Sequence, residues 1–132
     1  MDTPATGDTG GRPSVLVIDD EDYLVDLIAT TLESEGYQVY LAYNGRDGLE
    51  RARSVKIDLI ITDIMMPYLG GIALVDAIRA AEHTRDIPII LISAGARPPQ
   101  GRPKVTFIAK PFDINQMLEM VEAQVGKPGE PK

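Results

Sequence analysis

Short runs of apolar, mostly β-branched residues recur along this chain, and segments with helical spacing separate them. Residues 15–18, 59–61 and 87–92 are apolar at almost every position, which is typical of strands buried on both faces of a sheet. Between such runs, apolar residues return every three or four positions, as in 24–32 and 114–125, and this spacing predicts helices. The alternation predicts an α/β fold, a doubly wound parallel sheet with helices on both faces.

Polar side chains follow most of the predicted strands. The five strands are predicted at 15–18, 38–42, 58–62, 87–92 and 105–108. In parallel α/β sheets, functional groups gather outside the carboxyl ends of the strands. At or just past four of those ends the chain carries Asp19 and Asp20, Asp63, Ser93 and Lys110. We therefore expect three carboxylates, a hydroxyl group and an ammonium group to lie together at one edge of the sheet.

This set of groups points to phosphoryl chemistry. Carboxylates a few ångströms apart repel one another, and a hard cation with oxygen ligands, above all Mg²⁺, relieves that repulsion. A carboxylate beside Mg²⁺ can act as a nucleophile toward a phosphoryl group. The Lys110 ammonium and the Ser93 hydroxyl can bind phosphoryl oxygens in the transition state. The sequence therefore predicts an aspartyl-phosphate site.

Length and composition exclude several other classes of protein and of binding site. The chain has 132 residues, no cysteine and a net charge of −7. Its length suits one domain, and the lack of cysteine excludes disulfides and thiolate metal sites. The acidic balance argues against direct nucleic-acid binding, and no apolar run is long enough to span a membrane. The ends are rich in Gly and Pro, which predicts flexible tails at 1–13 and 126–132 around a domain at 14–125.

Four segments together carry a resemblance to a known family. VLVIDDE, LIITDIMMPYLGG, IILISA and FIAKPF occur in this order, each in a strand-like context. As a set they resemble the receiver domain of bacterial response regulators, over about residues 14–125. The resemblance implies a five-stranded sheet of order 2-1-3-4-5, a cytoplasmic location and a role in two-component signal transduction.

The resemblance also implies which residues form the phosphorylation site. Asp63 is the expected phosphoacceptor. Asp19, Asp20 and Asp63 are the expected Mg²⁺ ligands, with Asp20 the most direct, and the Met65 backbone carbonyl is a further ligand. The side chain of Met65 then matters less for the metal than its backbone.

Three more residues receive roles from the resemblance. Ser93 and Lys110 are expected to hold the phosphoryl oxygens, and Ser93 with Phe107 to form the switch that reports phosphorylation. Phe107 can equally be a plain core residue. The Lys110–Pro111 bond matches one that is often cis in the family, and X-Pro bonds adopt cis at modest cost.

The implied partners are proteins. A histidine kinase or phosphotransfer protein is the expected donor, and a downstream protein is the expected target, with no direct nucleic acid and no membrane. We expect a monomer or weak dimer. The expected activity is limited to the protein's own phosphorylation and dephosphorylation, so it is not an enzyme in the usual sense. No second domain is predicted after the last helix, which suggests a stand-alone receiver or one excised from a longer protein.

One segment departs from the family pattern. The connection between the fourth and fifth strands contains Pro98, Pro99 and Pro103 as well as two glycines. Interior prolines cost a helix about 3 kcal/mol each and glycines about 1 kcal/mol. We therefore predict that the family's fourth helix, between those strands, is absent or shortened and that this segment is mobile.

Other interpretations fit the same residues. Asp19 and Asp20 can cap the first helix, and Asp63 can be an ordinary turn residue. A pseudo-receiver that binds partners without phosphorylation would use the same fold. A Mg²⁺-dependent aspartyl phosphohydrolase is a further alternative, although such enzymes usually place the nucleophile after the first strand.

Overall fold

The computed structural model of the chain describes residues 12–66, 68–95 and 101–129. Strands and helices alternate along most of this length. The strands are β1 (Ser14–Ile18), β2 (Gln38–Ala42), β3 (Leu59–Asp63), β4 (Ile89–Ser93) and β5 (Val105–Ala109). The helices are α1 (Asp22–Ser34), α2 (Gly45–Ser54), α3 (Gly71–Ala80) and α4 (Ile114–Val125). In the described helices, no stretch is long and apolar enough to cross a membrane.

The five strands form one parallel sheet of order β2-β1-β3-β4-β5. The predicted fold class and strand order are therefore confirmed. Because strand order reverses between β1 and β3, the crevice for a functional site opens at the carboxyl ends of these two strands. Four predicted strands lie within one residue of the observed ones at each end; they are 15–18, 38–42, 58–62 and 105–108. Only β4 starts two residues later than predicted.

The central strands are apolar at most positions, and both faces of the sheet are covered. All residues of β1, β3 and β4 are buried. On one face, alternate strand residues such as Val17 and Ile61 pack with α1 and α4. On the other face, Leu16 and Ile60 pack with α2 and α3. The edge strands β2 and β5 are only half-buried for most of their length.

The helix ends follow the local signals in the sequence. The Asn44 side chain accepts a hydrogen bond from the Asp47 backbone N–H and caps α2, and Asp113 caps α4 in the same way through Asn115. Gly36 follows the end of α1 with φ 98°, a backbone conformation that residues with a Cβ seldom adopt. The two side-chain caps mark where α2 and α4 begin, and Gly36 marks where α1 ends.

The connection between β4 and β5 is fastened to α3 in its described part. Residues 94–95 and 101–104 contain no helix, in line with the predicted loss of the family's fourth helix; residues 96–100 of that prediction lie outside the described residues. The Arg79 guanidinium donates to the carbonyls of Ile87, Pro103 and Lys104. Arg102 pairs with Asp76 of α3 at 3.0 Å. The end of this segment is thus held against α3 by charged hydrogen bonds, which the sequence pattern did not predict.

Residues just outside the predicted domain limits also contact the domain. Pro13 is buried, and its carbonyl accepts from Gln38 N–H. The buried Tyr37 donates its hydroxyl to the Gly126 carbonyl at 2.7 Å. These contacts fix both ends of the folded part at the amino edge of the sheet.

Candidate functional site

The predicted site residues meet at the carboxyl edge of the sheet. Asp63 is the last residue of β3 and Ser93 the last of β4, while Asp19 directly follows β1 and Lys110 directly follows β5. Parallel pairing brings these ends side by side. The expected juxtaposition of carboxylates, hydroxyl group and ammonium group is therefore present.

Three carboxylates form the centre of the site. One oxygen from each of Asp19, Asp20 and Asp63 lies within 4.8 Å of the others. Asp19 is fully buried, Asp63 is 5% exposed, and Asp20 is exposed. Two buried carboxylates beside an exposed third create a negative pocket that is open to solvent on one side.

Asp19 carries the least satisfied carboxylate of the three. Its Oδ1 accepts a hydrogen bond from Glu21 N–H at 2.9 Å, whereas its buried Oδ2 has no hydrogen-bond partner in the described part of the chain. Burial raises the pKa of Asp19 from 3.8 to about 6, and the neighbouring Asp63 charge adds to this rise. The alternative that Asp19 or Asp20 caps the first helix does not account for Oδ2. The N-cap residue of α1 is Glu21, whose side chain forms no cap hydrogen bond, and the hydrogen bond that the Asp19 side chain accepts from the Glu21 N–H goes to Oδ1.

These residues fit a magnesium ion. The Oδ2 of Asp19 is a buried oxygen without a hydrogen-bond partner among the described residues, and a bound ion or an ordered water would compensate its desolvation. Hard oxygen ligands from a few carboxylates, with water completing the shell, suit Mg²⁺. The three clustered carboxylates supply that donor set.

Asp63 is held in one orientation by two hydrogen bonds. Its Oδ1 accepts from Met65 N–H at 3.2 Å, and its Oδ2 accepts from Lys110 Nζ at 3.0 Å. The loop behind it is tight, because a Cβ at Gly71 would collide with the Asp63 carbonyl oxygen. The Met65 side chain is exposed, and the backbone N–H of Met65 makes the contact with Asp63. The role of the Met65 carbonyl as a metal ligand stays a prediction.

Lys110 bridges two carboxylates. Its Nζ lies 2.8 Å from Glu21 Oε1 and 3.0 Å from Asp63 Oδ2. Burial alone lowers the pKa of Lys110, but the hydrogen bonds to Glu21 and Asp63 outweigh burial, so the net shift is upward and the ammonium stays charged. Glu21 was not among the predicted site residues. Its position directly after Asp19 and Asp20 is the one sequence feature that could have indicated it.

The two predicted switch residues lie on neighbouring strands. Ser93 is buried, and its backbone carbonyl accepts from Lys110 N–H at 2.8 Å, which ties the end of β4 to the start of the Lys110 loop. Phe107 pairs in register with Leu91 and packs, half-buried, on the face covered by α2 and α3. Its switch role stays a prediction. The Lys110–Pro111 bond is cis, as the resemblance implied.

Sequence comparison identifies the family. Residues 15–122 match the family model of the response regulator receiver domain. The chain is similar to the DNA-binding dual master transcriptional regulator RpaA of Synechocystis, with 34% identity over 119 residues, covering 84% of this chain and 48% of RpaA. The chain thus spans about half the length of the relatives it matches.

Structural comparison agrees with the sequence match. Chemotaxis response regulator CheY4 of Vibrio cholerae superposes with a TM-score of 0.78 at 26% identity, covering 85% of this chain and 98% of CheY4. The receiver domain of sensor histidine kinase PA1611 from Pseudomonas aeruginosa, which has a magnesium ion in its active site cleft, gives a TM-score of 0.78 at 28% identity, covering 88% and 99%. The chain belongs to the response regulator receiver domains, which accept phosphoryl groups in two-component signal transduction.

Proposed function

We propose that this domain accepts a phosphoryl group on Asp63 from a histidine kinase or phosphotransfer protein and signals through a changed protein-interaction surface. One observation carries the proposal: the Asp63 carboxylate is fixed between Lys110 Nζ and Met65 N–H, next to two further carboxylates. A nucleophile held in place beside a cation and a metal-binding cluster is what phosphoryl transfer requires.

The transfer uses residues already in position. An oxygen of Asp63 attacks the phosphorus of a phosphohistidine, and the P–N bond breaks as the imidazole leaves with its electron pair. The Lys110 ammonium pairs with one phosphoryl oxygen, and the Ser93 hydroxyl donates a hydrogen bond to a second phosphoryl oxygen. Asp19, Asp20, Asp63 and the Met65 carbonyl would hold a Mg²⁺ ion, which would supply positive charge to the phosphoryl oxygens. The product is an acyl phosphate on Asp63, which water later hydrolyses.

The domain acts in this proposal as a regulator. Its chemistry is limited to its own phosphorylation and dephosphorylation, and the proposal places it in the cytoplasm with its donor. Phosphorylation would draw Ser93 toward the phosphoryl group and let Phe107 follow, which alters the surface near β4 and β5. A target protein that reads this surface completes the signal.

The edge around Asp63 also suits a protein donor. The strongly exposed large apolar side chains of the described residues all lie around this edge or on the adjoining turns of α1; they are Tyr23, Leu27, Tyr43, Met65 and Tyr68. Tyr23 and Leu27 line a groove with Lys110 and Pro111. Exposed apolar groups that surround a polar centre are typical of protein contact sites. A donor protein docked there would bring its phosphohistidine to Asp63.

Intact-mass measurement tests the proposal. Incubation with Mg²⁺ and phosphoramidate should add one phosphoryl group to the wild type and none to Asp63→Asn. Asp58→Asn, at the other end of β3, is the matched control and should still be modified. An unmodified wild type would favour the pseudo-receiver, and repeated turnover of a phosphomonoester would favour the phosphohydrolase.

A further inference from the structure

We infer that Glu21 is an electrostatic gate, which competes with the incoming phosphoryl group for Lys110 and so slows phosphorylation of Asp63. The inference rests on the proposed function and names a further residue that regulates it. Its basis is the shared contact of Glu21 and Asp63 with one ammonium group.

The geometry places Glu21 within reach of the reaction. Glu21 Oε1 and Asp63 Oδ2 both lie within hydrogen-bond distance of Lys110 Nζ, at 2.8 and 3.0 Å. The Glu21 contact is the shorter of the two. Because both carboxylates contact the same ammonium, a phosphoryl group bonded to Asp63 would meet a lysine that is already paired.

The charges then oppose transfer. A phosphoryl group is anionic, and the pocket already contains Asp19, Asp20 and Asp63. Glu21 adds a fourth negative charge at its mouth, where the side chain is about half exposed. Charges separated by a few ångströms near a protein surface interact strongly enough to change rates several-fold. Lys110 can attract the phosphoryl group fully only when its bond to Glu21 is given up.

The side chain of Glu21 takes no part in capping α1. Glu21 is the N-cap of α1, but its side chain makes no cap hydrogen bond. Its backbone carbonyl accepts from the N–H groups of Leu24 and Val25, and its N–H donates to Asp19 Oδ1. Glu21→Gln keeps all of these backbone contacts and removes only the charge.

Kinetics with a small donor test the gate. Phosphoramidate transfers its phosphoryl group to Asp63 as the P–N bond breaks and ammonia leaves, and intact mass follows the rate. We expect Glu21→Gln to be phosphorylated about threefold to tenfold faster than the wild type at low ionic strength. The difference should shrink at high salt, because exposed charges are screened. Beryllium fluoride, an anionic mimic of the phosphoryl group, should bind Glu21→Gln with a Kd lower by a similar factor.

Asp22→Asn is the matched control. Asp22 is the next residue, is exposed and carries the same charge, but the ion pairs of Lys110 in the described part of the chain are with Glu21 and Asp63. We expect its rate to stay within about twofold of the wild type. Equal acceleration by both variants would overturn the gate in favour of a general charge effect.

The remaining outcomes of these experiments would each overturn the gate. A slower Glu21→Gln would show that Glu21 holds Lys110 in a productive position, which overturns the gate. An unchanged rate together with an unchanged Kd for beryllium fluoride would remove Glu21 from the reaction while leaving the proposed function intact. Failure of the wild type to accept a phosphoryl group would instead reject the proposed function, and the gate with it.

Discussion

Aspartates at the two ends of β3 have opposite surroundings. Asp58, just before the strand, accepts from Ser14 N–H at 2.8 Å through Oδ2 and pairs with Lys56 through Oδ1. Asp63, the last residue of the strand, shares Lys110 with Glu21 and lies beside two other carboxylates. At the first end, both carboxylate oxygens have a partner from the chain. At the second end, carboxylates crowd around one ammonium and a buried oxygen of Asp19 has no hydrogen-bond partner within the described residues.

The difference separates two uses of the same residue type. The contacts of Asp58 join β1 to the start of β3, because Asp58 N–H also donates to the Ser14 carbonyl, so this residue contributes to folding. The Asp63 cluster costs stability in the isolated chain, since the Asp19 carboxylate is desolvated by burial and lies beside the charge of Asp63. Sites built for function carry such a cost, and a bound cation offsets it.

Metal binding should show the largest contrast between the two ends. Asp20→Asn removes the exposed carboxylate of the cluster, and we expect Mg²⁺ affinity to fall at least about 100-fold, since even residues that only support metal ligands cost 10- to 100-fold. Isothermal titration with MgCl₂ measures the change.

Asp58→Asn is the control for this titration. It removes the same charge from the same strand, at the opposite end, and should leave Mg²⁺ affinity unchanged. Equal affinity of Asp20→Asn and the wild type would remove Asp20 from the metal site.

The pH dependence of stability should be the next largest effect. The folded-state pKa of Asp19, about 6, lies above the ordinary value of 3.8, so the folded state binds this proton more tightly than the unfolded state does. The resulting stabilisation is complete below pH 3.8 and is lost as pH rises through 6. It amounts to at most about 3 kcal/mol. Urea denaturation of metal-free protein between pH 4 and 7.5 measures the loss.

Asp19→Asn isolates the contribution of Asp19. Its side-chain oxygen can still accept from Glu21 N–H, but it cannot ionise. We expect the variant to lose less stability than the wild type over this pH range and to be the more stable of the two at pH 7.5 without Mg²⁺. The same pH slope in both proteins would show that the decline comes from other groups.

Much of the fold could be predicted because local and long-range signals agree. The apolar runs that became β1, β3 and β4 are buried on both faces. Asn44 and Asp113, of residue types that favour the N-cap position, cap α2 and α4. The anchoring of residues 103–104 was missed because it depends on Arg79. A lone arginine on a predicted helix gives no sign that its guanidinium will reach carbonyl groups of a distant loop.

The site was predictable for a related reason. Parallel pairing places the residues after β1, β3, β4 and β5 at one edge, so knowing the strands was enough to bring Asp19, Asp63, Ser93 and Lys110 together. The role of Glu21 in the site was not predicted because Glu21 does not lie at the end of a strand. Its contact with Lys110 depends on how its side chain turns at the start of α1, which residue spacing does not encode.

Substitution of Asp58 should give the smallest of these effects. At neutral pH it should lower the free energy of unfolding, whereas Asp19→Asn should raise it. Asp58→Ala leaves Ser14 N–H without its side-chain acceptor, and we expect a loss of about 1–2 kcal/mol in the free energy of unfolding. Asp58→Asn keeps an oxygen that can accept this bond and should lose less, because the exposed pair with Lys56 contributes little. Urea denaturation at pH 7.5 without Mg²⁺ orders the variants: Asp19→Asn above the wild type, then Asp58→Asn, then Asp58→Ala. If Asp58→Ala matched the wild type, the amino end of β3 would not be stabilised by its carboxylate, and the contrast between the two ends would rest on the Asp63 cluster alone.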